Sequence, residues 1–183
     1  MIYKIYNNLA EVSINSLGAE IKSFKIGDKE FMHNSDKKYW GRSAPYLFPN
    51  IGTIKDGFVE IDNKEYKFFK HGFLRDTEMT VVKQTENFIS FQLKYTEESL
   101  INFPYEYELT IDYLLENQTL TTRIFVRNLD SKSMYFNFGL HPAFKVPWND
   151  NETFEEYISK NTVIGEYEGY ILIKKEIYIW FIL

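Results

Sequence analysis

The sequence predicts an all-β protein made of antiparallel sheets, arranged as a sandwich or a barrel. Three observations lead there. Apolar and polar residues alternate with a period of two over many short segments, turn-forming residues separate those segments, and helical periodicity is nearly absent. With 183 residues the chain has room for a sizeable core. Residues 1–183 read as one domain, with no internal repeat, linker or low-complexity stretch.

The elements follow in order. Strands are expected over Ile2–Tyr6, Ala10–Asn15 and Ala19–Ile26. The segment from Asn34 to Gly57 has no strand pattern and holds Pro45, Pro49, Gly41 and Gly52. Its length favours a functional loop over a passive connection. Phe58–Ile61 and Glu65–Phe69 read as a hairpin about Asp62-Asn63-Lys64, and Thr77–Gln84 and Phe88–Tyr95 as another about Gln84 to Asn87. One short helical turn is expected within Glu97 to Phe103, before Pro104.

The clearest pattern comes next. Tyr105, Tyr107, Leu109, Ile111, Tyr113 and Leu115 alternate with Glu106, Glu108, Thr110, Asp112 and Leu114, which marks one buried and one wet face. After a turn at Glu116-Asn117-Gln118, Leu120, Thr122, Ile124 and Val126 take one side and Thr121, Arg123, Phe125 and Arg127 the other. The two segments form an antiparallel hairpin. Met134–Leu140 is the next strand. Beyond Pro147 the pattern weakens. Ile171 to Leu183 reads either as a last apolar strand or, with residues 148–183, as a tail read out of frame.

Composition narrows the function. A net charge of −5 argues against a nucleic-acid partner, because phosphate binding needs clustered Lys and Arg. The absence of cysteine excludes a disulfide scaffold, a thiol nucleophile and a Cys-ligated zinc site. Met1 to Asn8 has no apolar signal region, and no apolar run reaches the ~20 residues of a membrane span, so a cytoplasmic protein is expected. No His-Glu-x-x-His or other tight ligand cluster is present, so no metal site is expected, and neither a phosphate-binding glycine loop nor a G-x-S-x-G elbow occurs.

The three histidines carry the remaining chemistry. His33 lies in a polar turn and reads as surface decoration. His71 precedes Gly72, and is either a turn residue beside a positive-φ glycine or a functional imidazole. His141 ends a strand in which Tyr135, Asn137, Gly139 and His141 share one face. It is either a half-buried imidazole bonded to a carbonyl or a general acid, for which its ordinary pKa is well matched. Gly139 leaves room for a ligand on that face. The 16 Phe and 14 Tyr residues are mostly core, but Trp40, Tyr46 and Phe48 in the long loop are candidates for stacking on a sugar ring.

Four ordered motifs then carry a resemblance: Trp40-Gly-Arg-Ser-Ala-Pro-Tyr-Leu-Phe-Pro-Asn-Ile-Gly52, Lys70-His-Gly-Phe-Leu-Arg-Asp76, Phe103-Pro-Tyr-Glu-Tyr-Glu-Leu109 and Gly139-Leu-His-Pro-Ala-Phe144. Up to about Val146 the chain resembles the aldose 1-epimerase (galactose mutarotase) family, and in particular its LacX-like bacterial branch. The resemblance implies an antiparallel β-sandwich of the galactose mutarotase-like type that interconverts the α and β anomers of a hexose without a cofactor. A glutamate takes the proton from the anomeric hydroxyl and a histidine protonates the ring oxygen.

By that resemblance His141 is the general acid and His71 orients the substrate. Arg42, Arg75 and Asn137 are substrate-binding candidates, and Arg75 keeps a hexose phosphate open beside a free hexose. There are two departures. Thr53 stands where LacX-like chains tend to carry arginine, and nothing after Pro147 matches the family's late aspartate and catalytic glutamate. The resemblance thus implies a C-terminally shortened, incomplete sandwich whose base is absent or unidentified, with Glu166, Glu168 and Glu176 as available carboxylates. The alternatives are a carbohydrate-binding module without catalysis and an inactive gene fragment.

Overall fold

The structure is a computed structural model. It describes residues 1–147, 149, 151–153 and 155, and the backbone of Ile171–Ile173 and Glu176–Ile182. Strands β1 (Ile2–Tyr6), β2 (Ala10–Asn15), β3 (Glu20–Ile26) and β4 (Lys29–Glu30) form an antiparallel sheet in sequence order. After β5 (Tyr46–Leu47) comes the hairpin β6 (Phe58–Ile61) and β7 (Lys64–Lys67), then β8 (Thr80–Gln84), β9 (Phe88–Lys94) and the single helical turn α1 (Glu97–Leu100). Thr96 and Ser99 cap that turn reciprocally, each side chain bonding the other's backbone N–H.

The long strands β10 (Tyr107–Glu116) and β11 (Thr119–Asn128) form the centre of the second sheet, with the order β15-β11-β10-β9-β8. Here β15 is Glu176–Ile182, and β12 (Met134–Phe136), β13 (Gly139–Leu140) and β14 (Ile171–Ile173) complete the series. In this sheet Ile111 faces Phe91 on one neighbour and Ile124 on the other. The alternation read from the sequence holds: Tyr107, Leu109, Ile111, Tyr113 and Leu115 are all buried.

The core lies between these two sheets. Ile5, Val12, Ile14, Ile21 and Phe24 come from one, and Ile89, Phe91, Leu109, Leu120 and Val126 from the other. Tyr3 sets its ring edge-on to Phe91 at 5.8 Å. Full burial of so many aromatic and aliphatic side chains, at roughly 1.5–3 kcal/mol each, supplies the main favourable contribution to folding. The fold is thus the antiparallel sandwich expected from the period-two pattern.

Several strand boundaries differ from the sequence reading by one or two residues, and the larger differences have a physical cause. Residues 77–79 do not join β8, because the Thr77 carbonyl accepts the Gly18 N–H and the Met79 N–H donates to Ser16. The expected strand Met134–Leu140 is broken at Asn137, whose N–H donates to Pro49 at 2.8 Å. Its two halves have different partners, β14 and β5. Strands β4 and β5, each two residues long, are too short to show a period. The backbone of β15 pairs with β11 over Thr121–Arg127.

Candidate functional site

A buried carboxylate organises the long loop. Glu20, 6% exposed, accepts the Ser43 and Ala44 N–H groups at 2.5 and 3.1 Å and lies 3.4 Å from the Lys22 ammonium. The loop then holds the segment that carries His141. The His141 N–H donates to the Pro45 carbonyl at 3.2 Å, and the Ala143 N–H to Ser43 at 2.8 Å. The same segment bonds the chain after β4: the His33 N–H donates to Ala143 and the Lys145 N–H to Phe31, each at 2.9 Å.

His71 is placed by its neighbour. Gly72 has φ +68°, and a Cβ there would lie 2.0 Å from the Phe48 carbonyl oxygen. Only glycine permits this approach, and it lets that carbonyl accept the Phe73 and Leu74 N–H groups. His71 itself has φ +66°. Its N–H donates to the Gly52 carbonyl at 2.9 Å, while its Nδ1 accepts the Gly52 N–H at 3.0 Å. An Nδ1 that accepts carries no proton, so neutral His71 holds its proton on Nε2 and offers a donor there. Burial, reinforced by the charges of Arg75, Lys70 and His141, holds the imidazole below its usual pKa of 6.5. His71 is therefore neutral at pH 7.

His141 is exposed, and its ring leans on the Trp40 indole at 4.9 Å between centroids, tilted by 48°. Trp40 is in turn tied to His33, whose Nε2 lies 3.0 Å from the Trp40 carbonyl oxygen and whose ring stacks on the indole. The Nε2 must carry the proton for that bond. His33 is thus a half-buried structural link between Trp40 and the His141 segment, rather than the surface residue expected. The sequence could not reveal this, because the bond depends on a loop folding back by seven residues.

The aromatic expectations divide. Tyr46 and Phe48 are core residues and not sugar platforms. The Tyr113 hydroxyl donates to the Ala19 carbonyl at 2.5 Å, and the Tyr46 hydroxyl therefore donates to Tyr113 at 2.7 Å. Burial pushes the Tyr46 phenol up to about 12. Phe48 packs its ring among Phe73, Phe103, Tyr107 and Phe136 at 5.3–5.8 Å. Trp40 alone of the three remains at the site. Gly139 does not leave the space expected either: a Cβ there would meet the Ile51 side chain at 3.0 Å, so Ile51 already occupies that face.

The two arginines converge on one carboxylate. Arg42 donates from Nη2 to Asp76 at 2.6 Å and from Nη1 to the Arg75 carbonyl at 3.2 Å. Arg75 reaches Asp76 through Nε at 3.4 Å and donates to the Lys70 carbonyl at 2.9 Å. Asp76 was not among the expected site residues, although it closes the Lys70-to-Asp76 motif. Asn137 is half-buried and held by its own backbone bond to Pro49, and Thr53 is exposed. Glu166 and Glu168 lie outside the described residues, and of Glu176 only the backbone is described. Among the described residues no helix is long and apolar enough to cross a membrane.

Comparison with known proteins agrees with this geometry. The family model described as aldose 1-epimerase matches residues 1–166, beyond the last quoted motif. The plasmid-encoded protein LacX of Lactococcus lactis subsp. lactis is 33% identical over 164 residues, covering 86% of this chain and 55% of that protein. The chain therefore spans about half the length of the curated relatives it matches. A galactose mutarotase related enzyme from Lactobacillus acidophilus superposes with a TM-score of 0.81 at 32% identity, over 97% of this chain and 64% of that one. A galactose mutarotase-like protein from Lactobacillus casei gives 0.78 at 34% identity, over 82% and 52%. With four motifs in order, a shared sandwich and a match across most of its length, this chain belongs to the aldose 1-epimerase family.

Proposed function

We propose that the site around His71 and His141 acts on the anomeric centre of a hexose and exchanges its α and β forms. The observation that carries this reading is the fixed tautomer of His71, whose Nδ1 accepts the Gly52 N–H and so leaves Nε2 as a donor. Burial first, and the charges of Arg75, Lys70 and His141 after it, keep that imidazole below its usual pKa. In this reading His141 gives its proton to the ring oxygen as the C1–O5 bond breaks, and the electron pair goes to that oxygen. His71 donates a hydrogen bond to the sugar and holds it in place. A base removes the proton from the anomeric hydroxyl. The aldehyde that forms rotates about C1–C2 and closes to either anomer. Arg75 and Asn137 are proposed as sugar contacts, and Arg42 as the residue that steadies Arg75 through Asp76.

One observation favours a second reading, a carbohydrate-binding module without catalysis. Arg42 and Arg75 are held in place by Asp76, a fixed set of hydrogen-bond donors that binding alone requires. Polarimetry of freshly dissolved α-galactose separates the two. The enzyme reading requires an anomerisation rate above the spontaneous one, reduced by roughly 10²–10⁴-fold in His141→Ala. Saturable sugar binding with no acceleration supports the second reading. Neither binding nor acceleration overturns both.

A further inference from the structure

A cavity of about 540 Å³ lies between the β6–β7 hairpin and β12; neither His71 nor His141 lines it, and Asn137 is the one residue it shares with the sugar contacts proposed above. We infer that it is a second carbohydrate site, which takes a neutral polyhydroxylated ring. Its volume falls in the ~300–1,000 Å³ range of small-ligand pockets. Its lining combines the two kinds of group a sugar needs, an accessible aromatic ring for the C–H side and polar groups for the hydroxyls. Tyr135, 59% exposed, is that ring, and the buried Tyr105 lines the cavity beside Lys132.

The polar groups are in place before any ligand arrives. The Lys132 ammonium is held 2.8 Å from Asp62 and 5.0 Å from the centre of the Tyr105 ring. This sets a donor and an acceptor side by side on the cavity wall. Asn50, 2% exposed, also lines the cavity. Its amide nitrogen donates to Gly52 and Phe69, yet its Oδ1 has no hydrogen-bond partner among the described residues. A buried acceptor left so is an exception in folded proteins, and a ligand hydroxyl reaching it from the cavity satisfies it. The charges select against a phosphate. Asp62 neutralises Lys132, and Glu60 on the same wall adds another carboxylate.

This inference does not depend on the chemistry assigned to the histidines, and site-resolved NMR on the isotope-labelled full chain separates the two. The probes are galactose, glucose and galactose 6-phosphate. Galactose or glucose is expected to give saturable shifts at Lys132 and Tyr135, with affinity about tenfold weaker in Tyr135→Ala. Galactose 6-phosphate is expected to bind there no more tightly than galactose. Asp62→Asn, at an exposed position, provides a second variant that keeps the fold and loses the charge pair. Sugar-induced shifts confined to His71 and His141 overturn the inference and leave the anomeric reading standing. Shifts at Lys132 and Tyr135 with none at the histidines do the reverse. Tighter binding of the phosphate in the cavity overturns the choice of a neutral ligand, and a chain with no saturable shift anywhere overturns the site.

Discussion

His71 and Gly52 are bonded twice, once backbone to backbone and once through the imidazole, so that the Gly52 N–H fixes which ring nitrogen of His71 carries the proton. Protonating Nδ1 would set two N–H groups against each other. The resulting prediction is a titration midpoint for His71 below 6.5, in keeping with the burial and positive charges around it. Because the folded pKa is lowered, the unfolded chain binds more protons over this interval. The contribution to stability is complete above 6.5 and falls as pH drops toward the folded midpoint. Nitrogen-resolved NMR should show the Nε2–H tautomer at pH 7, and an Nδ1–H tautomer would contradict the arrangement.

Asp76 ties this titration to the arginines. Asp76→Asn removes the carboxylate shared by Arg42 and Arg75 and leaves the Arg75 charge unbalanced beside His71. The His71 midpoint is expected to fall further. Stability should change by less than about 1 kcal/mol, since the Asp76 carboxylate is exposed to solvent. An upward shift of the midpoint would show that Arg75 does not act on His71 through charge.

Gly72→Ala should be far worse than Gly27→Ala. Both positions have positive φ, but only at Gly72 does an added Cβ meet the Phe48 carbonyl; at Gly27 nothing lies within 4 Å. The Gly27 variant should lose about 1–2 kcal/mol from backbone conformation alone. The Gly72 variant should lose at least ~3 kcal/mol in a denaturant titration, as overpacking adds to the same strain. Equal losses would mean that the close approach has no energetic weight.

Glu20 is expected to act as the anchor of the loop under His141. Glu20→Ala leaves two buried N–H groups unpaired and should cost about 2–4 kcal/mol. Glu20→Gln keeps a carbonyl acceptor for Ser43 and Ala44 and should recover most of that loss. The His141 ring signals report on the same event. They should move in the alanine variant and stay close to wild type in the glutamine variant.

Tyr46→Phe separates core from site. It removes a buried hydroxyl from the pair with Tyr113 and should cost about 1 kcal/mol. Sugar affinity should not change. A loss of affinity at unchanged stability would restore Tyr46 as a sugar platform.

The residues that the sequence reveals and those it hides differ in a physical way. Strands β10 and β11 were legible because one face is buried along ten residues, so burial itself writes the alternation. The backbone settings of His71 and His141, beside a positive-φ glycine and just past a strand end, were legible because Gly72 and Pro142 mark them. Tyr46 and Phe48 were misread because they lie in a segment without a period. Their burial comes from partners distant in sequence, Tyr113 for one and Phe103 and Phe136 for the other. The role of His33, the Ile51 side chain over Gly139 and the shared Asp76 depend on the same kind of tertiary contact.

The bonds that join residues 31–33 and 43–45 to residues 141–145 carry a consequence for synthesis. A ribosome makes the Trp40 loop roughly a hundred residues before the stretch that fastens it, at a pace of about 5–20 residues per second. During those seconds β1 to β3 can pair locally, whereas Trp40 and His33 have no His141 segment to meet. The contact between Trp40 and His141 is thus the last part of this region to mature, and it cannot form until residue 145 has left the exit tunnel.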